Sequence, residues 1–559
     1  MKLCFNLCKL WLQFIFFCLS HIYYHKYFSV VMKINRIKRY FLSALTLSSG
    51  SIVLSGLSVL FNLYISGKIG AEAMGLYTLT GGVYSFAITV ATSGVNLAVV
   101  RLVSSALPYR ESNQKIEGNA VFKIMKQALF YVLTFSLISS VLLFSASRFV
   151  GARLLGDLRV VPALRVMAFS LVPIGISSMI NGYFCAVRRV YKNVIVQFFE
   201  QGVKISVVLC TLSLFVPAGV EYACLCIALS GMIAELGSLC LNVILFLIDK
   251  KRNFINGGDS AHVIEGFAVF GCAFPLAVSA YLRSMLSTLE HIAIPWGLKK
   301  SGLGAQAALA SYGTLHGMVF PFIFFPSSVL GAFSSLLVPE IASAKEAKDF
   351  SSIRRIVGYV FSFSLLFSLC VSGVFICFSS QIGIHFFGSE EAGHFIKLLS
   401  PLIPLMYLDF AVDAILKGLG EHLYTMRVNI FDSLISVVLI FTLVPFFGIY
   451  GYVAIIFITE IFNVSMSIIR LLNKTEVKTD ILGWIIKPTL SIIMATMLCR
   501  LLFSLSPFDS LFSLIGLGKI STGIEIFVCV LLYILFSKIT GAISKDEINL
   551  AKAAVKKSA

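Results

Sequence analysis

The residues that could do chemistry in this sequence are charged side chains inside long apolar runs. Glu200 and Lys204 stand four residues apart in one run, and Arg283 and Glu290 stand seven apart in another. Both spacings place the two side chains on one face of a helix. Because a charge inside a membrane is costly, such residues are candidates for binding or transport.

Further charges of this kind lie elsewhere in the chain. Arg101 lies toward the inner end of an earlier run, and Asp409 and Asp413 stand four apart in a later one. Basic groups among acidic ones suit a water-filled cavity that binds an anion. Each charge also has a plain structural interpretation, as a neutralised pair or as a side chain that snorkels to the interface. The remaining charges within runs include Glu235, Asp432, Glu460 and Lys487.

We assign these candidates two roles. Arg101, Lys204 and Arg283 are the predicted anion-binding residues. The acidic candidates would hold the empty cavity together or bind a coupling cation, and they are Glu200, Glu290, Asp409 and Asp413.

Known catalytic motifs are absent from the sequence. It contains no GxxxxGK[ST], HExxH or GxSxG pattern, and its 13 cysteines lack metal-ligand spacing. We therefore expect a protein that is not an enzyme, with no cofactor and no metal site.

The composition is typical of a membrane protein. Hydrophobic residues make up 58% of the 559 residues and charged residues only 13%, against about 25% charged in soluble domains. The net charge of +18 comes from short basic clusters between apolar runs. Such clusters indicate membrane topology and anionic lipids as partners, and we expect no nucleic acid partner.

Fourteen apolar runs are each long enough to cross the hydrocarbon layer as a helix. The sequence thus predicts an all-α polytopic membrane protein with about 14 transmembrane helices. The runs lie near 41–66, 76–106, 121–146, 166–187, 193–216, 221–248, 263–296, 308–338, 355–379, 395–416, 423–447, 449–472, 481–505 and 520–541.

Lysine and arginine alternate in abundance from loop to loop. Loops on one side hold many more of them, which places both termini in the cytoplasm. Residues 1–31 precede the basic start of the first run. We expect them to be either a misassigned start or an extra helix.

An internal repeat divides the runs. Phe199-Glu200 and the following Ile205–Leu209 resemble Phe431-Asp432 and Ile435–Leu439, which lie six spans later. We therefore predict two parallel six-helix lobes followed by two further helices. The predicted divisions are an extension 1–31, lobes 32–248 and 263–472 joined by a cytoplasmic linker 249–262, two helices within 473–541, and a cytoplasmic tail 542–559.

Several motifs resemble one family of transporters. These are Gly70 to Tyr77, Ser311-Tyr312-Gly313 with Leu337 to Ile341, and Leu416 to Gly420. Over about 33–540 the sequence resembles the polysaccharide-export and flippase group of the multidrug/oligosaccharidyl-lipid/polysaccharide (MOP) exporter superfamily. The likeness is to its stage V sporulation protein B type, related to lipid II flippases. Two positions depart from the family pattern, with Glu290 for Asp and Lys204 for Arg.

The resemblance implies two six-helix lobes in a V around a central cavity. It also implies a monomer in the bacterial plasma membrane that flips an undecaprenyl-pyrophosphate-linked glycan, and it leaves open whether Na⁺, H⁺ or voltage drives transport. Roles in polysaccharide or peptidoglycan synthesis for the cell wall, and in sporulation, would follow. Three alternatives stay open: a cation-coupled multidrug exporter, a membrane-embedded glycan enzyme, and a non-transporting scaffold.

Overall fold

The computed structural model describes residues 36–106, 116–117, 119–255, 268–477, 479–504 and 518–543. The predicted extension 1–31 lies outside them, as do half of the predicted linker and most of the predicted tail. The described chain forms two compact units. The first consists of Glu72–Trp296 with the chain up to Phe61, and the second of Asn62–Ala71 with the chain from Gly297 onward.

The first unit is built from long helices. A two-residue parallel pairing joins β1 (Ile116–Glu117) to β2 (Phe254–Ile255). The helices are α1 (Arg36–Thr92, kinked at Gly70), α2 (Val95–Ala106), α3 (Asn119–Phe149), α4 (Val161–Ala186), α5 (Tyr191–Phe215), α6 (Val220–Asn253) and α7 (Ala268–Lys300, whose last turn belongs to the second unit).

The second unit is also built from helices. Its helices are α8 (Ala305–Tyr312), α9 (Phe320–Phe324), α10 (Ser327–Glu346), α11 (Phe350–Ile382), α12 (Glu390–Leu399), α13 (Ile403–Gly418), α14 (His422–Thr475, kinked at Gly448), α15 (Lys487–Ser504) and α16 (Gly518–Ile539).

Thirteen helical segments of the described chain are long and apolar enough to cross a membrane. Two of them, Gly50–Ala106 and His422–Thr475, bend at glycines and are each long enough for two spans. Two others, Ala305–Phe324 and Ser327–Glu346, divide the single run predicted near 308–338. This division was not predicted. When each bent helix is counted as two spans and the two divided pieces as one, the segments match the fourteen predicted spans.

The backbone repeats itself at the end of the third span of each half. A π-helical segment ends at Gly156 in the first unit (φ 65°, ψ 28°), and another ends at Gly388 in the second (φ 64°, ψ 27°). Glycine adopts this left-handed conformation without the strain that a Cβ atom would introduce. The next residues, Asp157 and Ser389, both cap the following helical segment with a side-chain oxygen.

The offset along the chain that relates Gly156 to Gly388 also relates other irregular points. Turns at 93–94 and at 325–326 are separated by the same offset, and so are the positive φ angles at Gly70 and Gly302. Arg188 and Gly420 form a further pair with positive φ. The internal repeat inferred from the sequence is therefore present in the backbone.

The first unit includes most of α7. Thr288 of α7 donates a hydrogen bond to the Gly82 carbonyl of α1 at 3.1 Å. A Cβ atom on Gly82 would lie 2.9 Å from that of His291, so only glycine permits this approach. The division into compact units thus assigns Ala268–Trp296 to the first unit. The lobes 32–248 and 263–472, whose bounds were drawn from the sequence repeat, remain a prediction.

A buried ion cluster fastens the turn between α4 and α5 to the end of α6. The Asp249 carboxylate, 2% exposed, accepts a hydrogen bond from Tyr183 at 2.8 Å and pairs with Lys192 at 2.5 Å. Arg189 forms a second ion pair with the same carboxylate. The cluster satisfies a charge that would otherwise be costly to bury.

The second unit has an ion cluster at the corresponding turn, with its charges reversed. Glu421 is the equivalent of Arg189 in the repeat, and it pairs with Arg470 at 2.7 Å and with Lys474 at 3.0 Å. Both basic residues belong to the last part of α14. Each unit thus joins the turn after its fourth span to the end of its sixth span by ion pairs. The turn carries the basic partners in the first unit and the acidic partner in the second.

Replacing Asp249 by asparagine should destabilise the protein strongly. Lys192 would remain buried without its anion, and breaking a buried ion pair in this way costs about 3–5 kcal/mol. Thermal unfolding in detergent measures the effect. Glu476→Gln is the matched control, since its pair with Arg354 is mostly exposed and spans 3.9 Å. An equally small shift in both variants would contradict a structural role for the Asp249 cluster.

The Glu421 cluster should make stability depend on pH. Hydrogen bonds from Arg470 and then Lys474 hold the pKa of the Glu421 carboxyl below its ordinary value of 4.5. Because this pKa is lower in the folded chain, the stabilisation is present above pH 4.5 and is lost as pH falls through the folded pKa. Unfolding temperatures of Glu421→Gln and the parent should therefore differ at neutral pH and converge in acid. A difference that is constant with pH would refute this linkage.

Candidate functional site

Lys204 lies within α5 and points toward aromatic side chains of the first unit. Its ammonium donates to the Tyr77 hydroxyl at 3.5 Å and lies 5.8 Å from the centre of the Phe61 ring. The phenol oxygen and the aromatic face both stabilise a cation. The lysine is therefore held in place while keeping donor capacity for an anion.

Two carboxylates accompany Lys204 in the same unit. Glu200, one helical turn earlier, interacts electrostatically with Lys204, as the spacing of four predicted. Glu200 also interacts with Glu235 and Ser238 of the neighbouring helix α6. We call Tyr77, Glu200, Lys204 and Glu235 the Lys204 cluster. The sequence identifies Glu235 as a charge within an apolar run. Its place in the Lys204 cluster depends on the packing of α5 against α6, which the sequence does not report.

Arg101 and Arg283 both carry exposed side chains. Arg283 stands near the middle of α7, and Arg101 lies in the shorter helix α2, five residues before that helix ends. Arginine near the centre of a span is tolerated where it faces water or a polar partner. Exposure therefore leaves the Arg283 guanidinium available to solvent or a ligand.

Glu290 is half-buried two turns after Arg283 on α7. It follows Thr288, which bonds to α1, and precedes His291, which lies against Gly82. The Glu290 side chain therefore lies beside the point where α7 approaches Gly82 of α1. Its role in the predicted cavity remains a prediction.

The second unit brings three carboxylates from two helices near each other. Asp409 of α13 interacts electrostatically with Asp413 and with Asp432 of α14, and Glu460 of α14 interacts with Asp409 and Asp432. We call Asp409, Asp432 and Glu460 the carboxylate cluster. One buried oxygen of Asp409 and one of Asp432 make no hydrogen bond to any residue that the structure describes.

Asp413 has a different environment from Asp409. It forms an ion pair with Lys417 at 3.2 Å on the same helix. The two aspartates that stand four apart in the sequence thus have different surroundings: Asp413 pairs with Lys417, and Asp409 belongs to the carboxylate cluster. Among the described residues, no group of three or more His, Cys, Asp or Glu is arranged to hold a metal ion.

Family models match most of the chain. A model described as polysaccharide biosynthesis protein matches residues 42–323, which is half of the sequence. A model described as MatE matches residues 300–442. The first covers the Lys204 cluster, and the second covers Asp409 and Asp432.

Relatives in Bacillus subtilis (strain 168) align along most of their length. Stage V sporulation protein B is 26% identical over 73% of this chain and 78% of the relative. Lipid II flippase MurJ is 22% identical over 70% of this chain and 75% of the relative. Both alignments extend across most of the predicted spans.

Solved structures share the fold. A lipid II flippase MurJ in an inward closed conformation superposes with a TM-score of 0.63 at 12% identity, covering 90% of this chain and 99% of the other. A multidrug resistance MATE family transporter of the MOP superfamily, in an inward-facing conformation, has a TM-score of 0.57 at 15% identity and covers 77% and 96%. Both support a polytopic all-helical architecture.

The Lys204 cluster should behave as one energetic unit. Lys204→Met leaves Glu200 and Glu235 without this cation, so Glu200→Gln should restore part of the lost stability in the double variant. The coupling expected for such neighbours is about 0.5–3 kcal/mol, measured by thermal unfolding. Glu221→Gln is the control, because Glu221 lies in the first turn of α6, several turns before Glu235. Its effect should add to that of Lys204→Met, and additive effects in both pairs would contradict the cluster.

Proposed function

The chain belongs to the polysaccharide biosynthesis protein family, and from this we propose that it is a flippase of the MOP exporter superfamily. Its substrate would be a lipid-linked oligosaccharide or peptidoglycan precursor, moved across the bacterial cytoplasmic membrane by alternating access. Both termini would lie in the cytoplasm. Transport rather than catalysis is the proposed activity.

The observation that carries this proposal is the exposed Arg283 near the middle of a membrane-spanning helix. An arginine at that depth is expensive against lipid, so its exposed side must face water or a polar ligand. A water-filled cavity at membrane depth is what a sugar-pyrophosphate headgroup needs in order to cross.

The basic residues provide the chemistry for such a headgroup. A pyrophosphate loses its hydration when it enters the protein, and arginine and lysine replace water as charge-assisted donors. Arg283 and Lys204 would bind the phosphates, and Arg101, five residues before the end of α2, would bind the headgroup on entry or release. Glu200 and Glu235 would keep Lys204 neutralised while the site is empty.

The named relatives support the substrate class. One of them is a lipid II flippase and another a sporulation protein. Transport of a lipid-linked precursor fits both the basic residues of the first unit and these relationships. The particular glycan is a matter for experiment.

Flipping of lipid II in proteoliposomes tests the proposal. The parent should move fluorescent lipid II, and Arg283→Ala should slow it about tenfold to a hundredfold, as expected for losing a charge-assisted hydrogen bond of about 1.5–3 kcal/mol. Arg148→Ala is the matched control, since Arg148 is also exposed but lies at the end of α3, where it can reach the interface. Its rate should equal that of the parent.

Two results would contradict the proposal. Lack of flipping by the parent, for lipid II and for other undecaprenyl-pyrophosphate glycans under an ion gradient, would exclude the substrate class. Full activity of a folded Arg283→Ala variant would exclude this arginine as an anion-binding residue.

The carboxylate cluster favours a second candidate, a cation-coupled exporter of drugs. Carboxylates from α13 and α14 with unbonded buried oxygens suit a proton or a monovalent cation. The MatE match covers two of them, Asp409 and Asp432. Coupling by these residues is also compatible with flipping.

Ion-driven export of a fluorescent lipophilic cation distinguishes the two functions. If the protein is an exporter, a Na⁺ or H⁺ gradient should drive the dye, and Asp432→Asn should abolish the dependence on the gradient. Glu390→Gln, an exposed carboxylate at the start of α12, serves as the control. Absence of dye movement by a parent protein that flips lipid II would reject the exporter.

A further inference from the structure

A cavity of about 390 Å³ opens in the second unit, apart from the residues assigned to transport. It lies where α11 begins, where the segment leading into α15 begins, and just after α16 ends. Its lining includes Arg355, Tyr359, Trp484, Lys487 and Gly541. Three membrane spans have their ends here, so the cavity lies at the level of lipid headgroups.

The charged groups of the cavity are basic in balance. Arg355 is exposed and Lys487 is half-buried, and both line the space. Asp480 also lines it, but its carboxylate accepts a hydrogen bond from the Gly483 amide at 2.9 Å at the start of the helical segment. Two cations and one engaged carboxylate leave a net positive charge, which suits a phosphate with a single negative charge.

Glycine keeps part of the cavity open. A Cβ atom placed on Gly358 would meet no atom within 4 Å. The Lys487 ammonium lies 3.8 Å from the Cβ position of Gly541, close to the end of α16. The volume falls within the range of small-molecule sites, about 300–1,000 Å³.

The surroundings of the cavity are those of a membrane interface. Trp484 packs against Phe361 with ring centres 5.3 Å apart, and aromatic residues of this kind concentrate at headgroup depth. The same helical segment exposes large apolar side chains on its adjacent face. These are Ile481, Leu482, Ile485 and Ile486.

We propose that this cavity binds the phosphodiester of an anionic glycerophospholipid. Arg355 and Lys487 donate to the phosphate, and Trp484 and Tyr359 flank the glycerol. The acyl chains lie along the apolar face formed by Ile481, Leu482, Ile485 and Ile486. A soluble phosphate would make no use of that face. The site contains none of the residues proposed for transport, so it does not depend on the identity of the transported substrate.

Thermal unfolding of the detergent-purified protein, titrated with lipid, tests the site. Dioleoyl phosphatidylglycerol should raise the unfolding temperature more than phosphatidylcholine with the same chains, because binding to the folded state stabilises it. Arg355→Gln with Lys487→Gln should weaken the apparent affinity for phosphatidylglycerol about tenfold or more. Arg354→Gln is the control for charge, since it removes a neighbouring arginine that does not line the cavity.

A cavity-filling variant tests the same site without changing charge. Gly358→Leu should occupy the space and abolish the preference for phosphatidylglycerol. Gly331→Leu is its control, because a Cβ atom there also meets nothing within 4 Å, and Gly331 does not line the cavity.

Tryptophan fluorescence provides a measurement on the unaltered protein. Phosphatidylglycerol brominated in its acyl chains should quench the parent more than brominated phosphatidylcholine. The excess quenching should disappear in Trp484→Phe.

Four outcomes overturn the proposal. Equal effects of the two lipids on the parent, in unfolding and in quenching, would exclude an anionic lipid site. Unchanged affinity in the folded charge and cavity variants would place the lipid elsewhere. Excess quenching that persists in Trp484→Phe would do the same. An equal temperature shift with glycerol 1-phosphate would identify a soluble anion as the ligand.

Discussion

The hydrocarbon layer offers no hydrogen-bond partner and no counterion, and the rest of this structure depends on that constraint. Every backbone amide must be bonded within its own segment, so spans are helices and irregular points are few. Every charge must meet water, a partner or a ligand. The Lys204 cluster and the Asp249 ion pairs are two answers to this requirement, whereas the carboxylate cluster leaves buried oxygens that no described residue satisfies.

The two units answer it with different chemistry. The three residues predicted to bind an anion all belong to the first unit, whereas the described carboxylate cluster belongs to the second. The proposed phosphate-binding residues and the carboxylate cluster thus belong to different units, although Glu200 and Glu290 place carboxylates in the first unit as well. Coupled transport would then require that binding at one of these places change the affinity at the other.

Much of this architecture could be predicted from sequence because membrane spans are recognisable from hydropathy. The orientation deduced from loop charge remains a prediction. The repeat was visible in one short stretch and proved to relate turns, breaks and caps. The break at 325–326 could not be foreseen, since it interrupts an apolar run that hydropathy treats as continuous. Glu235, Asp432 and Glu460 were visible as charges within spans. Their grouping depends on contacts between helices, which the spacing along one helix does not report.

The reversed ion clusters have a consequence for how the chain assembles. Helices of a membrane protein are inserted in order, and a duplicated sequence offers each new helix two similar partners. The turn that follows α4 carries Arg189, and the turn that follows α13 carries Glu421, at equivalent positions of the repeat. If the first turn met the end of α14, arginine would face Arg470 and Lys474, and like charges would repel. The opposite polarity therefore disfavours pairing of either turn with the sixth span of the other unit and favours pairing with the sixth span of its own unit.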